Sequence, residues 1–137
     1  MGSRHASRKL AMQCLYQFLT RTEKDDSFVE SFIESSDYDQ KTQVWAAALV
    51  SGAFEYMNNA DELIKTYAIG WKIDRIDYVD LSILRLAFFE LNDEETPDRI
   101  VVNEAIELAK EFSSPDSPKF INGILGKYLD KKKCLQE

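Results

Sequence analysis

The segment LSILRLAFFEL, residues 81–91, contains only three polar residues, Ser82, Arg85 and Glu90. A helix that is apolar on nearly every side is stable in water only when neighbouring elements cover all of it. We therefore predict that 81–91 is the central helix of the fold. Arg85 and Glu90 are then interpreted as buried, paired structural charges, because an unpaired charge inside a core is costly.

Helical spacing of apolar residues continues along the rest of the chain. It predicts helices over residues 3–19, 27–35, 39–67 and 100–112, and a last helix that begins near Ser117. The predicted inward residues are Ala11, Cys14, Leu15 and Phe18 in the first helix and Trp45, Leu49, Gly52, Ala53 and Tyr56 in the third. No segment alternates apolar and polar residues as a strand would. The prediction is an all-α fold of six or seven helices that forms a single domain over residues 1–137.

The last helix opens with the motif SPKFING, residues 117–123. Ser117 is suited to cap the helix and Pro118 to occupy its first position, where a missing N–H costs nothing. The predicted buried stripe comprises Ile121, Ile124, Leu125 and Tyr128. Gly123 and Gly126 each cost about 1 kcal/mol relative to alanine in a helix. We predict that they allow another helix to approach closely.

Several classes of function find no support in the residues. The chain has one histidine, no glycine-rich phosphate loop and two cysteines, Cys14 and Cys134, without metal or redox spacing. We expect no enzymatic activity, no metal and no cofactor, and a buried structural thiol at Cys14. No apolar run is long enough to span a bilayer, and the basic N-terminus lacks the apolar segment of a signal peptide. The expected location is the reducing cytoplasm.

The distribution of charge points to a local nucleic-acid contact. A formal net charge of −7 argues against broad, non-specific nucleic-acid binding. The first 22 residues nevertheless contain no acid and five basic residues, Arg4, His5, Arg8, Lys9 and Arg21. His5, Lys9 and Tyr16 share one helical stripe, with Arg4 and Arg8 beside it. Cations that meet phosphates, next to a ring that stacks a base, suit single-stranded RNA. The alternative is a solvated face with Tyr16 in the core.

Lys119 and Phe120 repeat this combination of a cation and an aromatic at the start of the last helix. Free N–H groups at a helix start also bind phosphate. The alternative is that Phe120 packs under the preceding loop.

Three motifs together resemble the NusB family of bacterial transcription antitermination factors. They are SRHASRKLAMQCLYQF at 3–18, IDRIDYVDLSILRLAFFEL at 73–91 and VVNEAIELAKEFSSPDSPKFINGILGKY at 101–128. The resemblance implies an all-helical fold of two small helical subdomains. It also implies binding of the boxA element of ribosomal RNA leader transcripts together with NusE, a small-subunit ribosomal protein, and joining of the RNA polymerase elongation complex with other Nus factors.

The resemblance also implies which residues act. The RNA surface would comprise Arg4, His5, Arg8, Tyr16, Lys119 and Phe120, with Lys119 and Phe120 beside the Arg4/Arg8 helix to form one edge. The NusE surface would lie on the central segment, with Asp74 and Asp80 as the acidic candidates. Two alternatives stay open: a helical protein-interaction module without RNA binding, and the NusB-like domain of a ribosomal-RNA methyltransferase. The latter would require truncation, since the chain ends at Glu137.

Overall fold

The computed structural model describes residues 2–20 and 26–136, and within them the fold is all-α. Arg21 lies outside the described residues. One 3-10 turn, Ile73–Arg75, precedes the fifth of seven α-helices. The helices are α1 (Gly2–Thr20), α2 (Asp26–Glu34), α3 (Gln40–Glu55), α4 (Met57–Tyr67), α5 (Tyr78–Asp93), α6 (Asp98–Phe112) and α7 (Ser117–Gln136). None of these helices is long and apolar enough to cross a membrane.

Helix α5 is the centre of the molecule, as its composition predicts. Ten of its 16 residues are buried, and it packs against α1, α3, α4, α6 and α7. Asp77 caps its start by accepting a 2.8 Å hydrogen bond from the N–H of Val79. Its end is set by Glu94, whose φ of 62° lies in the left-handed region and cannot continue the helix.

The two charges predicted to be buried and paired in α5 are both paired. Arg85 donates from Nε and Nη2 to the two carboxylate oxygens of Asp61 in α4, at 2.8 and 2.9 Å. Glu90 accepts from Arg8 in α1. Each pair satisfies polar atoms that would otherwise be left unbonded in the core, and each fixes a neighbouring helix against α5.

The predicted third helix, 39–67, is in fact two helices. Tyr56 ends α3 with φ −91° and ψ 0°, and its N–H bonds back to the carbonyl of Gly52. A ψ near zero departs from the helical value, so the helix is interrupted there and α4 begins at Met57. The buried face of α3 also differs from the predicted one: it consists of Thr42, Ala46, Val50 and Ala53, and Trp45 is only half-buried.

Helix α7 confirms one prediction about its sequence and contradicts two. Ile121, Ile124 and Leu125 are buried, and Tyr128 packs against the core. The predicted close approach at Gly123 and Gly126 is wrong, because a Cβ at either position would have no atom within 4 Å. The predicted cap is also wrong, since Ser117 is already the first residue of α7, and its hydroxyl donates to Asp80 in α5 at 2.9 Å. That bond fixes the start of α7 to the start of α5.

Candidate nucleic-acid interface

Helix α1 presents its basic residues around an apolar face. Leu10, Ala11, Cys14 and Leu15 are buried, which confirms the predicted inward direction and the buried thiol. Burial raises the pKa of Cys14 to about 11. With that face fixed against the core, the orientation of every other α1 side chain is determined.

Arg8 points inward and is 5% exposed. Its Nε lies 2.9 Å from Oε2 of Glu90, and its Nη2 lies 3.0 Å from Oε1 of the same carboxylate. Nη2 also donates to the Thr96 hydroxyl at 3.3 Å. The guanidinium is thus enclosed and neutralised, so the structure contradicts the placement of Arg8 on an RNA-facing surface. The sequence could not show this, because Glu90 is 82 residues away.

His5 and Lys9 face α6 and meet acids there. Nδ1 of His5 lies 2.7 Å from Oε2 of Glu104. Nζ of Lys9 lies 2.8 Å from Oε1 of Glu111, and this hydrogen bond raises the pKa of the ammonium. The predicted basic stripe therefore exists as a row of side chains, but carboxylates of α6 balance its charge.

Arg4 is the exception among the α1 cations. It is exposed, and its guanidinium carbon lies 4.0 Å from the centre of the Trp45 ring in α3. The predicted inward face of α3 included Trp45, so this contact was not expected. No signal in the sequence indicated it, because Val44 and Ala47 are apolar and their exposure is seen only in the structure.

Tyr16 lies near the other end of α1, where it is half-buried. It lines a cleft of about 380 Å³ together with Phe32, Val79 and Phe112. The ring is neither fully in the core nor free in solvent. It therefore keeps an accessible edge next to the first turn of α5.

Lys119 and Phe120 occupy the first turn of α7. Lys119 is exposed and Phe120 half-buried, and the Phe120 ring packs edge-on against Trp71, with ring centres 5.3 Å apart. Both rings line a cleft of about 350 Å³ that also contains Arg75 and Asp116. Trp71 is 54% exposed, and the sequence around Gly70 predicted only a break between helices and no role for this ring.

The predicted RNA surface is not one continuous edge. Its residues lie in two groups, one near each end of α1. Arg8 contacts Glu90 and Ser117 contacts Asp80, and these α5 residues are ten positions apart. At 1.5 Å per residue this separation is about 15 Å. Lys119 and Phe120 therefore lie at the Tyr16 end of α1 and not beside Arg4 and Arg8.

The two acidic candidates also differ. Asp74, in the 3-10 turn, is exposed. Asp80 is 6% exposed and accepts hydrogen bonds from the hydroxyls of Ser113 at 2.6 Å and Ser117 at 2.9 Å. The structure contradicts Asp80 as a surface contact, because both oxygens serve to hold the start of α7.

The sequence of this chain is similar to proteins of one known family. The sequence model of the NusB family matches residues 5–130. The transcription antitermination protein NusB of Streptomyces griseus is 41% identical, with 99% of this chain and 98% of that protein covered. The protein of the same name from Desulforamulus reducens is 42% identical, with 96% and 92% covered.

Solved structures agree with the fold. NusB of T. maritima superposes with a TM-score of 0.81 at 34% identity, covering 90% of this chain and 88% of that one. A crystal structure of antitermination factors NusB and NusE in complex with dsRNA gives a TM-score of 0.82 at 26% identity, covering 93% and 96%.

Proposed function

This chain belongs to the NusB family, and on that premise we propose that it is a transcription antitermination factor that binds single-stranded boxA RNA of ribosomal RNA leader transcripts together with NusE. The pair then joins the RNA polymerase elongation complex with other Nus factors. Support comes from the relatives, which are named as antitermination proteins, and from the solved NusB complex that contains NusE and dsRNA. The expectation that the chain is not an enzyme agrees with those names.

The observation that carries the proposal is the start of α7. An exposed cation, Lys119, adjoins two accessible rings, Phe120 and Trp71. A ring stacks any unpaired base for about 1–3 kcal/mol, while a neighbouring ammonium attracts the phosphate. Tyr16 adds a further ring from α1. Base stacking beside local cations, and not a broad basic patch, is the mode of RNA binding that suits a chain with a net charge of −7.

The role of NusE follows from the same charge. An acidic protein repels RNA over most of its surface, and a basic partner supplies the cations that it lacks. Asp74, the exposed candidate, is available to such a partner. Asp80 acts indirectly: through Ser113 and Ser117 it holds the turn that carries Lys119 and Phe120.

The test is a titration of a short boxA-like RNA, and of a scrambled RNA of equal length, with and without NusE. We expect weak binding to the chain alone and tighter binding with NusE, for the boxA-like sequence only. Linkage requires RNA to tighten NusE binding by the same factor. Equal RNA affinity with and without NusE, or equal affinity for both sequences, would contradict the proposal.

A second candidate is a protein-interaction module that does not bind RNA. The pairing of His5, Arg8 and Lys9 with carboxylates favours it, as does the exposure of Ile69, Trp71 and Tyr78. This candidate predicts that NusE binds and that RNA has no effect on its affinity. The titration therefore separates the two functions.

A further inference from the structure

We propose that Arg4, Lys41 and Trp45 form a second nucleotide-binding site on the same RNA, at the end of α1 opposite to Lys119 and Phe120. The inference rests on the RNA binding proposed above. It adds two residues of α3 that neither the motifs nor the resemblance indicated.

Two cations converge on one ring at this place. The Arg4 guanidinium carbon lies 4.0 Å from the centre of the Trp45 ring, and Nζ of Lys41 lies 4.7 Å from it. Arg4 comes from the first turns of α1 and the other two from the first turns of α3. Both cations are exposed and the indole is half-buried, so the assembly faces solvent.

These cations differ from their neighbours in their direct contacts. Within residues 2–20 and 26–136, His5, Arg8 and Lys9 each lie against a carboxylate oxygen, whereas Arg4 and Lys41 lie against the ring, and the carboxylate of Asp39 interacts with Lys41 only through its charge. Two like charges near one ring repel each other, and an anion bound between them relieves that repulsion. In a chain with 24 acidic and 17 basic residues, unpaired cations at one spot mark a place for an external anion.

The adjacent cavity indicates what kind of anion is bound. A cavity of about 170 Å³ opens beside Trp45, between α1, α3 and the end of α5. Phe89 forms part of its wall, and its polar rim includes Asp93, Glu95 and Thr96. Carboxylate oxygens accept hydrogen bonds from the amino groups of adenine, cytosine or guanine. They repel a simple anion or an acidic peptide.

A nucleotide suits both parts of the site, the two cations at the Trp45 ring and the adjacent cavity with its carboxylates. Its phosphate binds Arg4 and Lys41, which move off the ring to reach it, its base stacks on the face of Trp45 that this exposes, and a base amino group donates to Asp93 or Glu95. Arg4 and Tyr16 are 12 residues apart on α1, which is about 18 Å along the helix. One RNA strand running along α1 therefore contacts both ends.

The test uses the full chain with the boxA-like RNA, both alone and with NusE. Trp45→Ala should weaken RNA binding about 5- to 150-fold, the equivalent of one lost stacking contact. Trp45→Phe should retain most of the affinity, because it keeps a ring. Lys41→Gln should weaken binding and make the slope of log affinity against log salt shallower by roughly 0.7. Lys65→Gln, an exposed lysine on α4, is the matched control and should change neither.

Tryptophan fluorescence tests the same site without relying on a loss of RNA affinity in the variants of Trp45 or Lys41. The chain has two tryptophans, so Trp71→Phe leaves Trp45 as the single fluorophore, and RNA should quench its fluorescence with the dissociation constant that a titration of this same variant gives. Full RNA affinity in Lys41→Gln and Trp45→Ala, with Phe120→Ala impaired, would overturn this site and leave the proposed function standing. Loss of NusE binding instead of RNA binding would assign the site to a protein. No RNA binding by the wild type would overturn both proposals.

Discussion

The ring of Phe89 in α5 lies directly against the backbone of Gly52 in α3. A Cβ built at residue 52 would stand 2.1 Å from Cζ of Phe89, far inside van der Waals contact. The absence of a side chain at Gly52 thus lets α3 and α5 approach at that point. Phe89 in turn lines the cavity beside Trp45, so this contact shapes the proposed second site.

Gly52→Ala should destabilise the fold even though alanine is the better helix former. The clash with Phe89 outweighs the gain in helix propensity, and we expect a net loss of about 1 kcal/mol or more in the free energy of unfolding. Gly123→Ala, in open space on α7, should instead raise it by about 0.5–1 kcal/mol. Chemical denaturation of both variants measures the difference, and equal effects would show that Phe89 does not restrict residue 52.

Arg8→Ala should be strongly destabilising because it leaves the carboxylate of Glu90 buried without a partner. Breaking such a pair costs about 3–5 kcal/mol. The double substitution Arg8→Met, Glu90→Leu should recover most of the loss, since no unpaired charge remains. Urea unfolding of the single and double variants tests this. If Arg8→Ala kept its stability and lost RNA affinity with a shallower salt slope, Arg8 would contact RNA after all.

Phe120→Ala separates stacking from packing at the start of α7. We expect RNA affinity to fall by about 1–3 kcal/mol and the loss to persist at higher salt, because stacking does not depend on counterion release. Melting temperature and RNA binding at two salt concentrations should be compared with the wild type. A melting temperature several degrees lower with normal RNA affinity would identify Phe120 as a packing residue under Trp71.

The two cysteines should react very differently. Burial raises the pKa of Cys14 to about 11, whereas Cys134 is exposed. Near pH 8 iodoacetamide should modify Cys134 at once and Cys14 only after unfolding. Because the folded thiol holds its proton to higher pH than the unfolded one, this contribution to stability is complete below the unfolded pKa and is lost as pH rises towards 11. A Cys14→Ala variant should lack that part of the alkaline decline.

The sequence predicted those parts of the fold that depend only on which residues are apolar and must be buried. The composition of 81–91 identified the central helix and its two paired charges, and the spacing of Ala11, Cys14 and Leu15 oriented α1. The interruption at Tyr56 was not predictable, since residues 39–67 contain no proline and apolar spacing continues through that position.

The sequence indicated which basic residues α1 carries, but it did not indicate which side chains they contact in the folded protein. Local spacing predicted that His5, Arg8 and Lys9 lie on or beside one stripe of a helix, but their partners lie 82 to 102 residues later. Pairing over such distances is determined only when the helices pack. For the same reason a lone tryptophan in α3 gave no sign that Arg4 would cover it.

The long-range pairs of α1 determine when this helix can take its final place during translation. It is synthesised before its partners, since Glu90, Glu104 and Glu111 are made 82, 99 and 102 residues after Arg8, His5 and Lys9. Until α5 emerges, burying Arg8 would leave its charge without a partner in a low-dielectric interior. We therefore expect the Arg8 side of the nascent α1 to stay hydrated until α5 is synthesised.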